Sequence, residues 1–257
     1  IEYQGRSEKL SDFDESTLTS ALQRLEAPEK RRMVFLIGHG ERSPEGRQGH
    51  DLKQFADEAA KHGVSTGVVN LALSGHLPDD ADVLVIAGPK TAVLPGELKI
   101  IEEYLRKGGS LLWLMDPGEA HGLGGLLKVL GLEVLPGTVV DASTQVLGID
   151  DPTFALVVDY PPQLITQGLE QMTMFPSAAA LTSKGEGVYE KEALLTTLER
   201  SWTEQGPIQN KVAFEKEKGE VHGPLTLAYA MTRPTEDAQK RGTADPSATL
   251  SEQRIVV

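Results

Sequence analysis

The run Met33-Val34-Phe35-Leu36-Ile37, followed by Gly38-His39-Gly40-Glu41-Arg42-Ser43-Pro44, decides how this chain is read. Five apolar residues in a row, stopped by glycine, suit a strand buried on both faces, as strands of parallel sheets are. A strand with one wet face would alternate apolar with polar residues. The pattern returns at Val83-Leu84-Val85-Ile86-Ala87, broken by Gly88-Pro89-Lys90. It returns again at Ser110-Leu111-Leu112-Trp113-Leu114-Met115, closed by Asp116-Pro117-Gly118. Val64 to Leu71 reads as a further strand.

Helical segments separate these strands. One is predicted from about Gly49 to His62, with Leu52, Phe55 and Ala59 on one stripe and Gly63 at the C′ position. Pro95 suits the first turn of the next, whose buried stripe is Leu98, Ile101 and Leu105 and whose end is Gly108-Gly109. Leu123, Leu126, Leu127 and Leu130 mark a short third helix. Strands alternating with helices predict an α/β fold: a three-layer, mostly parallel sheet with helices on both faces and right-handed crossovers.

Around this centre the chain divides as follows. Residues 1–29 form a lead-in with a helix over Asp14–Glu26, striped by Leu18, Leu22 and Leu25 and capped by Asp14 or Ser16. Residues 30–257 read as one α/β domain. Its core is 30–141, where Leu132–Leu135 or Thr138–Val140 adds a strand. A less regular extension of the sheet covers 142–233, with strands at Phe154–Val158, Gln171–Phe175, Ala178–Thr182 and Leu225–Met231, and a run of helix formers at Glu190–Leu195. Residues 234–253 are polar and read as a flexible loop, and 254–257 return to strand character.

Composition narrows the function. The formal net charge of −13 argues against nucleic acid, whose phosphates need Lys and Arg, and against anionic lipid head groups. There is no cysteine, so thiol nucleophiles, thiolate metal sites and disulfides are excluded. No apolar run approaches the roughly 18 residues that span a bilayer, and no signal peptide is present. The sequence starts at Ile1 without Met and stops within the strand-like Arg254-Ile255-Val256-Val257. The expectation is a fragment of a larger protein, anchored to a membrane by segments beyond these ends.

Ligands of open parallel sheets bind at the carboxyl ends of the strands. Three loops lie there: Gly38–Pro44, Gly88–Lys90 and Asp116–His121. His39 and Glu41 together suit acid–base work, and Arg42 suits a carboxylate or phosphate. In the alternative reading, Gly38 and Gly40 shape the turn and the polar side chains bond neighbouring loops. The candidate ligand or partner contacts are His39, Gly40, Glu41, Arg42, Gly88, Pro89 and Asp116. No catalytic residue, metal ligand or cofactor is assigned. The Gly38–Ser43 run lacks the third glycine of the dinucleotide fingerprint and the Gly-Lys-Ser/Thr of a phosphate loop. No Gly-x-Ser-x-Gly elbow occurs. No two histidines lie at i and i+4 on a predicted helix, which excludes a zinc-protease site. Asp79, Asp80 and Asp82 read as a solvated turn before a strand rather than as a cation site.

A family resemblance rests on four stretches. They are Val34–Glu41 (Val-Phe-Leu-Ile-Gly-His-Gly-Glu), Leu77–Pro89, Glu102–Gly109 and Leu111–Pro117 (Leu-Leu-Trp-Leu-Met-Asp-Pro). Leu181-Thr182-Ser183, Ile165-Thr166 and the terminal Arg-Ile-Val-Val add to it, although Gln163-Leu164 stands where the family often has His-Pro. The chain resembles the auxiliary domain of gliding-motility-type ABC transport systems. That resemblance implies a flavodoxin-like fold similar to class I glutamine amidotransferases, without the nucleophilic Cys. It implies an extracytoplasmic (periplasmic) location, ABC permease and ATPase partners, and a glycan, lipid-linked or protein ligand. A related fold occurs in an intraflagellar transport subunit as a binding module. The expected function is therefore a non-catalytic accessory or binding module. The alternative is a hydrolase or sugar-processing enzyme using Glu41 or Asp116.

Overall fold

The computed structural model describes residues 1–3, 5–10, 13–26, 31–185, 187–208, 212–235 and 252–257. The predicted polar loop at 234–253 falls largely outside them. The chain divides into two compact units, Ile1–Leu112 and Trp113–Val257.

The first unit opens with β1 (Glu2–Tyr3) and β2 (Arg6–Ser7), an antiparallel pair that the sequence reading missed. Helix α1 (Glu15–Glu26) follows. Asp14 caps it: its carboxylate accepts from the Thr17 amide at 2.8 Å, as Asp does at helix starts. Of the predicted stripe, Leu25 is buried, whereas Leu18 and Leu22 are exposed. Next come β3 (Arg31–Leu36), α2 (Lys53–Lys61), β4 (Val64–Val69), α3 (Leu71–Ser74), β5 (Val83–Ala87), α4 (Pro95–Arg106) and β6 (Ser110–Leu114), at whose middle the unit ends. The strands run in the order β4-β3-β5-β6. β3 pairs in parallel with both β4 and β5. Val34, Phe35 and Leu36 of β3 and Leu84 to Ile86 of β5 are fully buried, as their unbroken apolar runs require. Each such side chain contributes about 1.5–3 kcal/mol of burial. Phe35, Val85 and Ala87 form a cluster with Leu52 packed against it.

Helix α2 departs from its predicted span. It begins at Lys53, and Ala56 is its buried residue, while Phe55 is exposed. The cause lies at Asp51. Its carboxylate accepts from the Ser43 amide (3.1 Å) and the Gln48 amide (2.9 Å), which lowers its pKa below the usual carboxylate value. These bonds wind residues 43–51 into a loop instead of a first helical turn. α3 was also missed, its single turn capped by Asn70, which accepts from Leu73 at 3.1 Å.

The second unit holds α5 (Gly124–Leu130), β7 (Leu132–Val134), β8 (Thr138–Asp141), β9 (Phe154–Val157), β10 (Thr173–Pro176), β11 (Leu181–Ser183), β12 (Glu190–Thr196), β13 (Ser201–Glu204), β14 (Thr226–Pro234) and β15 (Glu252–Val256). Its pairs are antiparallel: β15-β14-β11-β7 in order, β12 also on β14, β9 with β10, and β8 with β13. The run of helix formers at Glu190–Leu195 lies in a strand. Its helix formers are overridden by pairing with β14, from Glu190 opposite Thr232 to Thr196 opposite Thr226. β13 went unforeseen, because Ser-Trp-Thr-Glu carries no alternation. All four of its residues are buried against β8. The core here gathers Val139, Ala155, Ala180 and Leu225.

Taken together this is a mixed α/β fold in which the parallel strands and most of the helices belong to the first unit.

Candidate functional site

The carboxyl ends of β3 and β5 carry the loops that sequence reasoning singled out. Gly38 turns with φ +125° and Gly40 with φ +80°, a region where L side chains are strained. A Cβ on Gly40 would also sit 3.2 Å from Lys90 Cβ. The glycines thus let the chain fold back on the β5 loop. There the carbonyl of His39 accepts from the amides of Lys90 (2.7 Å) and Thr91 (3.0 Å), while the Arg42 amide donates to Ala87 O at 2.9 Å. Gly88 and Pro89 are buried beneath this crossing. They act through the backbone path and present no side chain for chemistry.

His39 is only 7% exposed. Its backbone amide donates to Glu41 Oε2 at 2.7 Å. Its Nδ1 lies 3.1 Å from Glu41 Oε1, and its Nε2 lies 2.9 Å from Glu97 Oε2. The side chains of Glu41 and Glu97 are 1% and 3% exposed. Glu97 Oε2 also accepts from the Leu94 amide at 2.9 Å, so one carboxylate both starts α4 and grips the histidine. An ionised carboxylate only accepts. The ring, bonded to a carboxylate at each nitrogen, joins the β3 loop to the start of α4.

This geometry decides what the cluster can do. A general base needs a bare nitrogen within reach of a substrate proton. Here both nitrogens face carboxylates within the protein. A metal site would turn its ligands to a shared centre, whereas these groups point at one another. Among the described residues no group of His, Asp and Glu is arranged to hold a metal ion. The arrangement is a clamp, and Glu97 Oε1, buried without a hydrogen-bond partner, is its one unfilled position.

Of the candidate residues, the structure brings together His39, Gly40, Glu41, Gly88 and Pro89. Arg42 is half-buried in the same loop. Asp116 is half-buried after β6, in the second unit. Sequence reasoning missed Glu97. The available signal was a glutamate at the third position of a helix opened by Pro95, a place where acids bond free amides of the first turn. Asp82 and Asp80, read as a turn, do structural work: Asp82 accepts from the Arg32 amide at 2.6 Å, and Asp80 pairs with the Arg32 guanidinium.

Among the described residues no helix is long and apolar enough to cross a membrane. Of solved structures, the mmIFT52 N-terminal domain is similar to this chain with a TM-score of 0.52 at 15% identity, over 87% of this chain and 84% of that one. This is a likeness of fold. A putative ThuA-like protein from Bacteroides uniformis ATCC 8492 gives a TM-score of 0.41 at 15% identity, over 79% of this chain and 78% of that one. No curated protein matches the sequence. Residues 30–257 match the family model described as ABC-type uncharacterized transport system, and the chain belongs to this family of ABC transport auxiliary proteins.

Proposed function

We propose that this chain is a non-catalytic binding module of an ABC-type transport system, working on the extracytoplasmic face of the membrane beside the permease and ATPase. Its parallel half is read as a flavodoxin-like, amidotransferase-like layer whose loops after β3 and β5 present the contact surface. Gliding-motility-type systems are the branch that the sequence resembles. The observation carrying the proposal is the clamp. The one histidine placed for acid–base work has both nitrogens committed to Glu41 and Glu97. Glu41, one of the two bases named for the hydrolase alternative, is sealed in, while the other, Asp116, is half-buried in the second unit. Family membership supplies the transport context.

The test is co-purification from membranes. A tagged chain, expressed with the permease and ATPase of its own operon, should retain both through detergent extraction. Capture of neither subunit, together with turnover of an ester, phosphoester or glycoside by the purified chain, would replace the binding reading with the hydrolase one.

A further inference from the structure

A second surface, in the other unit and independent of the β3 loop, has the opposite character. β9 and β10 pair from Phe154 opposite Pro176 to Val157 opposite Thr173, leaving residues 158–172 as a long loop. Its neck is pinned by Tyr160, whose hydroxyl lies 2.9 Å from the Gln171 carbonyl. Inside, the loop winds on its own backbone: Gln163 N to Pro161 O, Thr166 N to Gln163 O, and Leu169 N to Thr166 O. Thr166 is the buried anchor, at 4% exposure, whereas Leu164 is 80% and Ile165 53% exposed. Val158, Leu169, Met172 and Met174 are exposed as well. The usual order of a surface loop is inverted, with threonine inside and leucine and isoleucine outside. Single exposed apolar residues need no explanation, but several on one closed loop mark an interaction site. Gln163 Nε2, buried in the same loop, has no hydrogen-bond partner.

Charge selects the partner. From Val129 to Ser183 the sequence contains no Lys, Arg or His. The charges of the loop itself are Asp159 and Glu170, both exposed. A second copy docked loop to loop would set like charge against like, and an anionic lipid surface would be repelled. We propose that the 158–172 loop docks a segment of a partner protein that presents apolar side chains among Lys or Arg, such as a basic amphipathic helix. Its leucines would cover Leu164, Ile165 and Leu169, and its cations would meet Asp159 and Glu170.

The probe is a fluorescent peptide of Leu and Lys at amphipathic-helix spacing, titrated with the whole chain by anisotropy. A peptide with Glu in place of Lys is the control. The Lys peptide should bind and the Glu peptide should not. Leu164→Ser/Leu169→Ser, which leaves every charge in place, should weaken binding by about tenfold or more, as loss of apolar anchors does. Asp159→Asn/Glu170→Gln should weaken it and flatten its salt dependence. These residues are exposed, so circular dichroism should show both variants folded. Unchanged affinity of the leucine variant would overturn the proposal, because binding would then be a general attraction of cations to an acidic chain. Self-association of the wild type that the leucine variant abolishes would overturn it in favour of a second copy. Binding to neutral phosphatidylcholine vesicles, lost in that variant, would overturn it in favour of lipid.

Discussion

The loop after β3 and the loop after β9 handle polarity in opposite ways. In the first, His39 and Glu41 are buried together with Glu97 of α4. In the second, leucine and isoleucine stand in water above a buried threonine. Burial of charge is costly unless every charge finds a partner, so the first loop is explained from within: its polar groups hold β3 and α4 together. Exposure of several apolar side chains on one loop has no such internal explanation. A chemically suggestive cluster can therefore be architecture, and an ordinary-looking Gln-Leu-Ile-Thr run can be the functional surface.

The largest effect that would break this contrast is at His39. His39→Ala leaves two buried carboxylates facing each other without a donor between them. Urea denaturation should register a loss of about 3 kcal/mol or more, since each buried group left without its hydrogen bond costs about 1–3 kcal/mol. A loss as small as a surface change would mean that the clamp contributes nothing.

Tyr104 sharpens the picture of the first unit. Its hydroxyl donates to Ser110 O at 3.0 Å, and burial pushes its pKa up to about 12. In the unfolded chain the phenol titrates near 10. Between these values the unfolded state has lost a proton that the folded state keeps, so stability is full below about pH 10 and falls as pH rises towards 12. The fall is on the order of 2 kcal/mol. Denaturation midpoints across this range should show it, and Tyr104→Phe should remove that part of the slope.

Gly40→Ala should cost about 1–2 kcal/mol, since φ +80° is left-handed backbone, and the new methyl presses on Lys90. Thermal unfolding reads this directly. At the small end, Leu164→Ser should change stability by no more than about 0.5 kcal/mol. A large loss there would show that the leucine is packed in solution and would erase the contrast between the two loops.

How much of this was legible in sequence follows from where each signal resides. β3, β5 and α4 announce themselves because a strand buried on both faces is an unbroken apolar run and a helix opened by Pro95 has a fixed start. Glu190–Thr196 misled because its side chains favour helix and only pairing with β14, thirty or more residues away, makes it a strand. His39 and Glu41 were visible as neighbours in a glycine loop. Glu97 was not, because its role depends on α4 beginning beside the end of β3, a tertiary fact. The exposed face of the 158–172 loop was hidden for the same reason, since a short apolar run reads as buried until the backbone shows which way it faces.

The central claim is that His39 is clamped from both sides, with each ring nitrogen engaged by a buried carboxylate. Acylation by diethyl pyrocarbonate, read by peptide mass mapping, tests it most directly. The account predicts that His39 of the folded chain stays unmodified while the exposed His50 and His62 react. Modification of His39 as fast as that of the exposed histidines would contradict the clamp and make the β3 loop a poised catalytic group again.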